Sequence, residues 1–98
     1  MTHYIYKITP ARKGFADSPT YEEKQIMSEH FAYLNRLLAE GKLLLAGPCT
    51  DAAFGIVIFE AESMAEATLI MQSDPAVAAG VMNAELHEFR VSLLRGRE

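Results

Sequence analysis

The sequence predicts an α+β fold with the element order β-α-β-β-α-β. Three observations lead there. Two amphipathic segments open with helix-capping signatures, Thr20-x-x-Glu23 and Ser63-x-x-Glu66. Around them lie four short runs rich in β-branched, aromatic and leucine side chains, bounded by Gly, Pro or Asp. The chain has 98 residues, half of them apolar, which is enough for one hydrophobic core and not for two. Residues 1–98 therefore read as a single domain.

His3 to Thr9 is the first strand, with Tyr4, Ile5, Tyr6 and Ile8 favouring extended backbone and Pro10 closing the run. Residues 10–19 are a loop holding Gly14, two prolines and the adjacent cations Arg12 and Lys13. A helix follows from the Thr20 cap to about Glu40, and Gly41 is suited to end it. Its apolar stripe is Ile26, Met27, Phe31, Leu34, Leu37 and Leu38. Lys42–Cys49 and Phe54–Glu60 are strands joined by the turn Thr50–Ala53 into a hairpin. The second helix starts at Ser63 and runs to about Gln72. Asp74-Pro75 then has the N-cap and N1 chemistry for one helical turn ending at Gly80, and a last strand runs from about Met82 to Leu94.

This order is the split-βαβ or ferredoxin-like arrangement, in which two helices cover one face of a four-stranded antiparallel sheet. A sheet with one wet face should alternate apolar and polar residues. Leu43–Leu45 and Ile56–Phe59 instead place apolar side chains on both faces. The helix-free face is therefore expected to be covered by the sheet of a second copy, forming a homodimer of dimeric α/β-barrel type.

Charge narrows the partners. The net charge is -4, and the 47 residues from Leu43 to Phe89 contain seven carboxylates and no Lys or Arg. A basic track for nucleic acid is thus missing. Phe54–Phe59 (FGIVIF) superficially resembles the third-strand motif of RNA-recognition modules, but Ile56 replaces a stacking aromatic and the basic lead is absent. Any bound anion has to be met by backbone N–H groups or by cations at the borders, Arg12, Lys13, Arg36 or Arg90. No apolar run approaches the roughly 20 residues of a membrane span. The single Cys49 and the absence of a leader-like start make a reducing cytoplasm the expected address.

The three histidines lie on different elements and lack metal-ligand spacing. Glu85 and His87 share a strand face, where charge pairing is a simpler account than half a metal site. Cys49 has no neighbouring cation in sequence to activate its thiol and reads as a small buried filler. His30, with Ile26 and Leu34 one turn away on either side, is either a core-edge histidine bonding a carbonyl or a partly desolvated proton acceptor. Asp74 is either a helix N-cap or, if it reaches His30, the carboxylate that fixes the tautomer of a base.

Three stretches, Glu29–Leu34 (EHFAYL), Leu45–Pro48 (LAGP) and Asp74–Val81 (DPAVAAGV), in this order and spacing, resemble the YCII-related (YciI-like) family across nearly the whole chain. The resemblance implies a ferredoxin-like fold that dimerises through its sheets and a His–Asp active site at His30 and Asp74. Two positions depart from the family pattern. Met27 stands where members often carry Arg, and Ala76 stands where an aromatic often follows Asp-Pro. Cationic help for a substrate is therefore expected from Arg12 or Arg90. One branch of the family resembles dehydrochlorinases acting on chlorinated hydroxyquinols.

The resulting expectation is a small acid-base enzyme, a lyase, isomerase or dehydrochlorinase-like protein, with His30 as base and Asp74 orienting it. It acts on a small aromatic or anionic metabolite and uses no metal or other cofactor. Its pocket is expected between the first helix and the Asp74–Gly80 turn. The competing expectation is a non-catalytic dimeric module that binds a ligand or accompanies another enzyme, with a thiol-based accessory role for Cys49 as a lesser option.

Overall fold

The computed structural model describes residues 1–96. They form β1 (Thr2–Pro10), α1 (Tyr21–Ala39), β2 (Leu43–Pro48), β3 (Gly55–Ala61), α2 (Met64–Gln72), α3 (Pro75–Ala78) and β4 (Met82–Phe89). The sheet is antiparallel throughout, in the order β2-β3-β1-β4. This is the ferredoxin-like arrangement, with a short α3 after the second long helix.

Alternation along β1 sets the core. Tyr4, Tyr6 and Ile8 point inward and are buried, and each lies beside an inward residue of β3, Phe59 opposite Tyr4 and Val57 opposite Tyr6. Phe59 meets the Tyr6 ring edge-on at 5.7 Å and the Tyr4 ring at 6.0 Å. Tyr33, Leu34 and Leu37 of α1, Ala67 and Ile70 of α2 and Ala76 of α3 close the core from one side. The Tyr33 hydroxyl donates to the Ile70 carbonyl at 2.7 Å and ties α1 to α2.

The caps work as the sequence predicts, with one difference. Thr20 accepts from the Glu23 N–H while the Glu23 carboxylate accepts from the Thr20 N–H, a complete capping box that contributes about 0.5–2 kcal/mol. Gly41, at φ +77°, takes the left-handed position after α1 that a side chain would strain. At α2 only half of the box forms. Ser63 accepts from Glu66, but the Glu66 carboxylate turns to the Glu62 N–H.

Two boundaries change. β4 ends at Phe89 and not at Leu94, because Phe89 is already opposite His3 and β1 begins at Thr2. Beyond that point only Thr2 of β1 remains. The α1 stripe is also broader than its buried face. Phe31 and Leu38 are 67% and 55% exposed, and the helix buries His30, Tyr33, Leu34 and Leu37. Cys49 is half-buried at the end of the hairpin, not buried.

On the helix-free face, cross-strand register aligns Leu45, Ile58, Ile5 and His87 in one row, and Gly47, Ile56, Lys7 and Glu85 in the next. The β2–β3 half of this face is apolar, and the β4 half is charged. No helix among the described residues is long and apolar enough to cross a membrane.

Candidate functional site

Three separate elements converge on one carboxylate. The turn after α2 brings Asp74 to the N-cap of α3, where its side chain accepts from the Ala76 N–H at 3.0 Å. Residues 63–81 thereby wrap back against α1, and Asp74 reaches His30. The imidazole Nδ1 lies 2.7 Å from Oδ1 and 2.9 Å from Oδ2. From β1 below, the Tyr6 hydroxyl donates to Oδ2 at 2.7 Å. Asp74 is fully buried and Tyr6 equally so. The carboxylate thus exchanges hydration for three donors, the condition under which a buried acid is tolerated.

One Asp74 side chain thus caps α3 and contacts His30 at the same time. The geometry also assigns the tautomer. A carboxylate only accepts, so the shared hydrogen comes from Nδ1 and leaves Nε2 as the other ring nitrogen. Nε2 bonds to no described residue. Burial, and then the adjacent Asp74 charge, push the Tyr6 phenol far above its ordinary value of 10.0, so Tyr6 stays a donor. The same two causes raise Tyr33.

His30 lines a cleft of about 690 Å³ between α1 and the β2–β3 side of the sheet, and Asp74 does not line it. The imidazole therefore stands between a buried carboxylate and the cleft. Ile8 and Met82 form the floor, Leu43 to Pro48 one flank, and Phe31 and Leu38 the rim. This accounts for the exposure of those two stripe residues, since they edge an opening. It also corrects the expected location of the pocket. No residue from 74 to 81 lines the cleft, because Asp74 and Ala76 are packed fully shut against the core.

The two cations expected to assist lie elsewhere. Arg12 donates through Nε and Nη2 to the two Glu23 carboxylate oxygens at 2.8 and 2.7 Å, and through Nη2 and Nη1 to the Ser18 and Lys13 carbonyls. Its fork clamps the loop of residues 11–19 onto the start of α1. Arg90 follows β4 at the end away from Met82, roughly 25 Å along the strand from the cleft floor. Neither residue lines the cleft. His87 and Glu85 bond each other at 3.0 Å on the exposed face. Among the described residues no three His, Cys, Asp or Glu side chains gather as a metal site would need.

Sequence reasoning missed Tyr6. The available signal was its inward position in the β1 alternation, since a buried tyrosine hydroxyl needs an acceptor. It also missed the cleft, which forms where α1 packs beside β2.

Fold and site together define a ferredoxin-like α+β protein with a buried His–carboxylate pair at the edge of an apolar cleft. Residues 5–90 match the YCII-related domain, and the chain belongs to that family. It is 39% identical over 62 residues to the uncharacterized protein YjpA of Bacillus subtilis (strain 168), an alignment spanning 63% of this chain and 73% of that one. Two solved structures share the fold. One is the 5-chloro-2-hydroxyhydroquinone dehydrochlorinase TftG of Burkholderia phenoliruptrix AC1100 in complex with 2,5-dihydroxybenzoquinone, with TM-score 0.66 and 23% identity, covering 89% of this chain and 93% of that one. The other is muconolactone isomerase, with TM-score 0.72 and 14% identity over 98% and 97% of the two chains. At these identities the likeness concerns the fold.

Proposed function

We propose that the chain is a single domain acting as a small acid-base enzyme, a lyase or isomerase, with His30 as the base and Asp74 as its orienting partner. The observation that carries this reading is the 2.7 Å contact of Nδ1 with Asp74 on an imidazole whose other side meets an apolar cleft. Asp74 keeps the hydrogen on Nδ1, so the Nε2 lone pair is available to a ligand. In the proposed step a substrate C–H or O–H bond breaks and an Nε2–H bond forms. The electron pair stays on the substrate, where it shifts a double bond or expels a leaving group. The imidazolium, held by the Asp74 carboxylate, then gives its proton to the far end of the shifted double bond in an isomerisation, or to solvent where a leaving group has departed with the electron pair. Tyr6 and the Ala76 N–H keep the carboxylate in register throughout.

The two neighbours of like fold are named for a dehydrochlorinase and an isomerase, and both reaction types move a proton at carbon. The test is hydrogen exchange. The protein is incubated in D2O with hydroquinones and unsaturated lactones, and exchange or turnover is followed by NMR. Wild type is expected to exchange an acidic hydrogen, and His30→Gln to lose that activity. A ligand that binds saturably but never exchanges, with His30→Gln lowering only the melting temperature, would favour a non-catalytic dimeric binding or accessory module.

A second copy is the proposed cover of the helix-free face. Leu45, Ile58 and Ile5 form one cross-strand row with Ile56 in the next. Leu45 is exposed, Ile5 and Ile56 are partly so, and Ile58 is buried. An apolar patch of this kind is an association site. An isologous pairing of the sheets would bury it.

A further inference from the structure

The walls of the cleft carry more information than its size. Of the residues lining it, only His30 and Asn35 have polar side chains, and none is Lys, Arg, Asp or Glu. Its volume, about 690 Å³, suits a compound of one or two rings. His30, the titratable group at the wall among the described residues, is backed by the fully buried carboxylate of Asp74.

This combination bears on the charge of a ligand. Nε2 offers a lone pair, so it accepts a hydrogen bond from a ligand hydroxyl or an equally acidic hydrogen. A ligand carboxylate in the same place would face Asp74 across a single imidazole. If the ring were protonated to meet it, Asp74 would already hold that positive charge, and two carboxylates would share one cation among apolar walls. Among the described residues of one chain, no Lys or Arg lines the cleft to relieve this. Arg12 is bound to Glu23, and Arg90 is at the far end of β4.

We infer that the cleft takes an uncharged, mostly apolar ring compound bearing a hydroxyl or a similarly acidic hydrogen, directed at His30 Nε2, and rejects the corresponding carboxylate. The inference rests on the reading of His30 as the chemical group of the cleft. It replaces the expectation of an anionic ligand held by Arg12 or Arg90.

The test compares 2-naphthol with 2-naphthoate at neutral pH on the intact protein, by calorimetry and by amide shifts in ¹⁵N NMR. The expected result is binding of 2-naphthol at least about tenfold tighter, with shifts at Phe31, Leu38 and the β2 backbone. Leu38→Trp, a change at a cleft-lining position that is 55% exposed, should block the cleft and weaken 2-naphthol by a similar factor, with the melting temperature read alongside to check folding. In His30→Gln the preference for naphthol should shrink. Equal or tighter binding of 2-naphthoate inside the cleft overturns the inference and leaves the acid-base reading standing. Shifts confined to other surfaces, or none with either probe, also overturn the inference, while loss or retention of hydrogen exchange in His30→Gln decides the acid-base reading separately.

Discussion

Tyr6 donates a 2.7 Å hydrogen bond to Asp74, a residue 68 positions later in the chain, and so holds from the sheet the same carboxylate that His30 holds from the helix layer. Neither contact is local. The pair of bonds depends on β1 lying at the centre of the sheet beneath the turn between α2 and α3.

Tyr6→Phe keeps the ring against Phe59 and removes only the hydroxyl. Asp74 then loses one of its donors without access to water, which is expected to cost about 1–3 kcal/mol, measured as a shift in the urea unfolding curve. The alkaline limb should change too. Tyr6 and Tyr33 have folded-state values raised above the ordinary 10.0. Their contribution is complete below pH 10 and declines as pH climbs above it, because the unfolded chain ionises first. Wild type should therefore lose stability steadily above pH 10, and Tyr6→Phe should lose less. An unchanged slope would show that these phenols do not govern the alkaline limb.

The His30–Asp74 pair predicts a kinetic pattern. Once a substrate is in hand, His30→Gln should lower kcat by about 10²–10⁴, with a much smaller change in ligand affinity. Asp74→Asn, which can still cap α3 but supplies no charge to the imidazolium, should fall in the same range. Activity within tenfold of wild type in both variants would remove the acid-base mechanism.

Arg12 and Glu23 make a prediction at the acid end. The Arg12 guanidinium, and then the Thr20 N–H, hold Glu23 down to about 2 from its ordinary 4.5. A depressed carboxylate contributes above its unfolded value and loses that contribution as pH falls through its folded one. The clamp on residues 11–19 should therefore weaken between about pH 4.5 and 2, seen as faster amide exchange in that loop. In Arg12→Ala the loop should exchange rapidly at neutral pH as well. Slow exchange in the variant would mean the loop is held by something other than this ion pair.

Dimerisation is checked at the helix-free face. Leu45 is 43% exposed, so Leu45→Lys adds a charge without emptying the core. Sedimentation should show wild type as a dimer and the variant shifted to monomer with its circular dichroism unchanged. A monomeric wild type would leave the apolar rows without a self-partner.

Much of the architecture could be read from local chemistry. The Thr20–Glu23 box, Gly41 after α1, the Asp74-Pro75 start and the β1 alternation each act within a few residues, and each operates where the sequence put it. The family motifs also named His30 and Asp74 as partners, although nothing in their spacing of 44 residues required contact. What sequence could not supply was long-range. The inward face of Tyr6 was visible, but not the carboxylate above it. The end of β4 depended on where its neighbour began. Phe31 and Leu38 look like core in a helical stripe, and only the packing of α1 beside β2 makes them line a cleft. Arg12 was a free cation in sequence until Glu23, 11 residues on, came within reach.

The sequence alone thus determined the elements, their order and the chemical inventory, because propensity, capping and hydrophobic period act over one or two turns of chain. Tertiary structure decided which groups meet, that Arg12 and Arg90 stay outside the cleft, and that His30 lines it while Asp74 does not. Those outcomes depend on packing between segments tens of residues apart, where burial leaves each polar group only the partners that the fold brings to it.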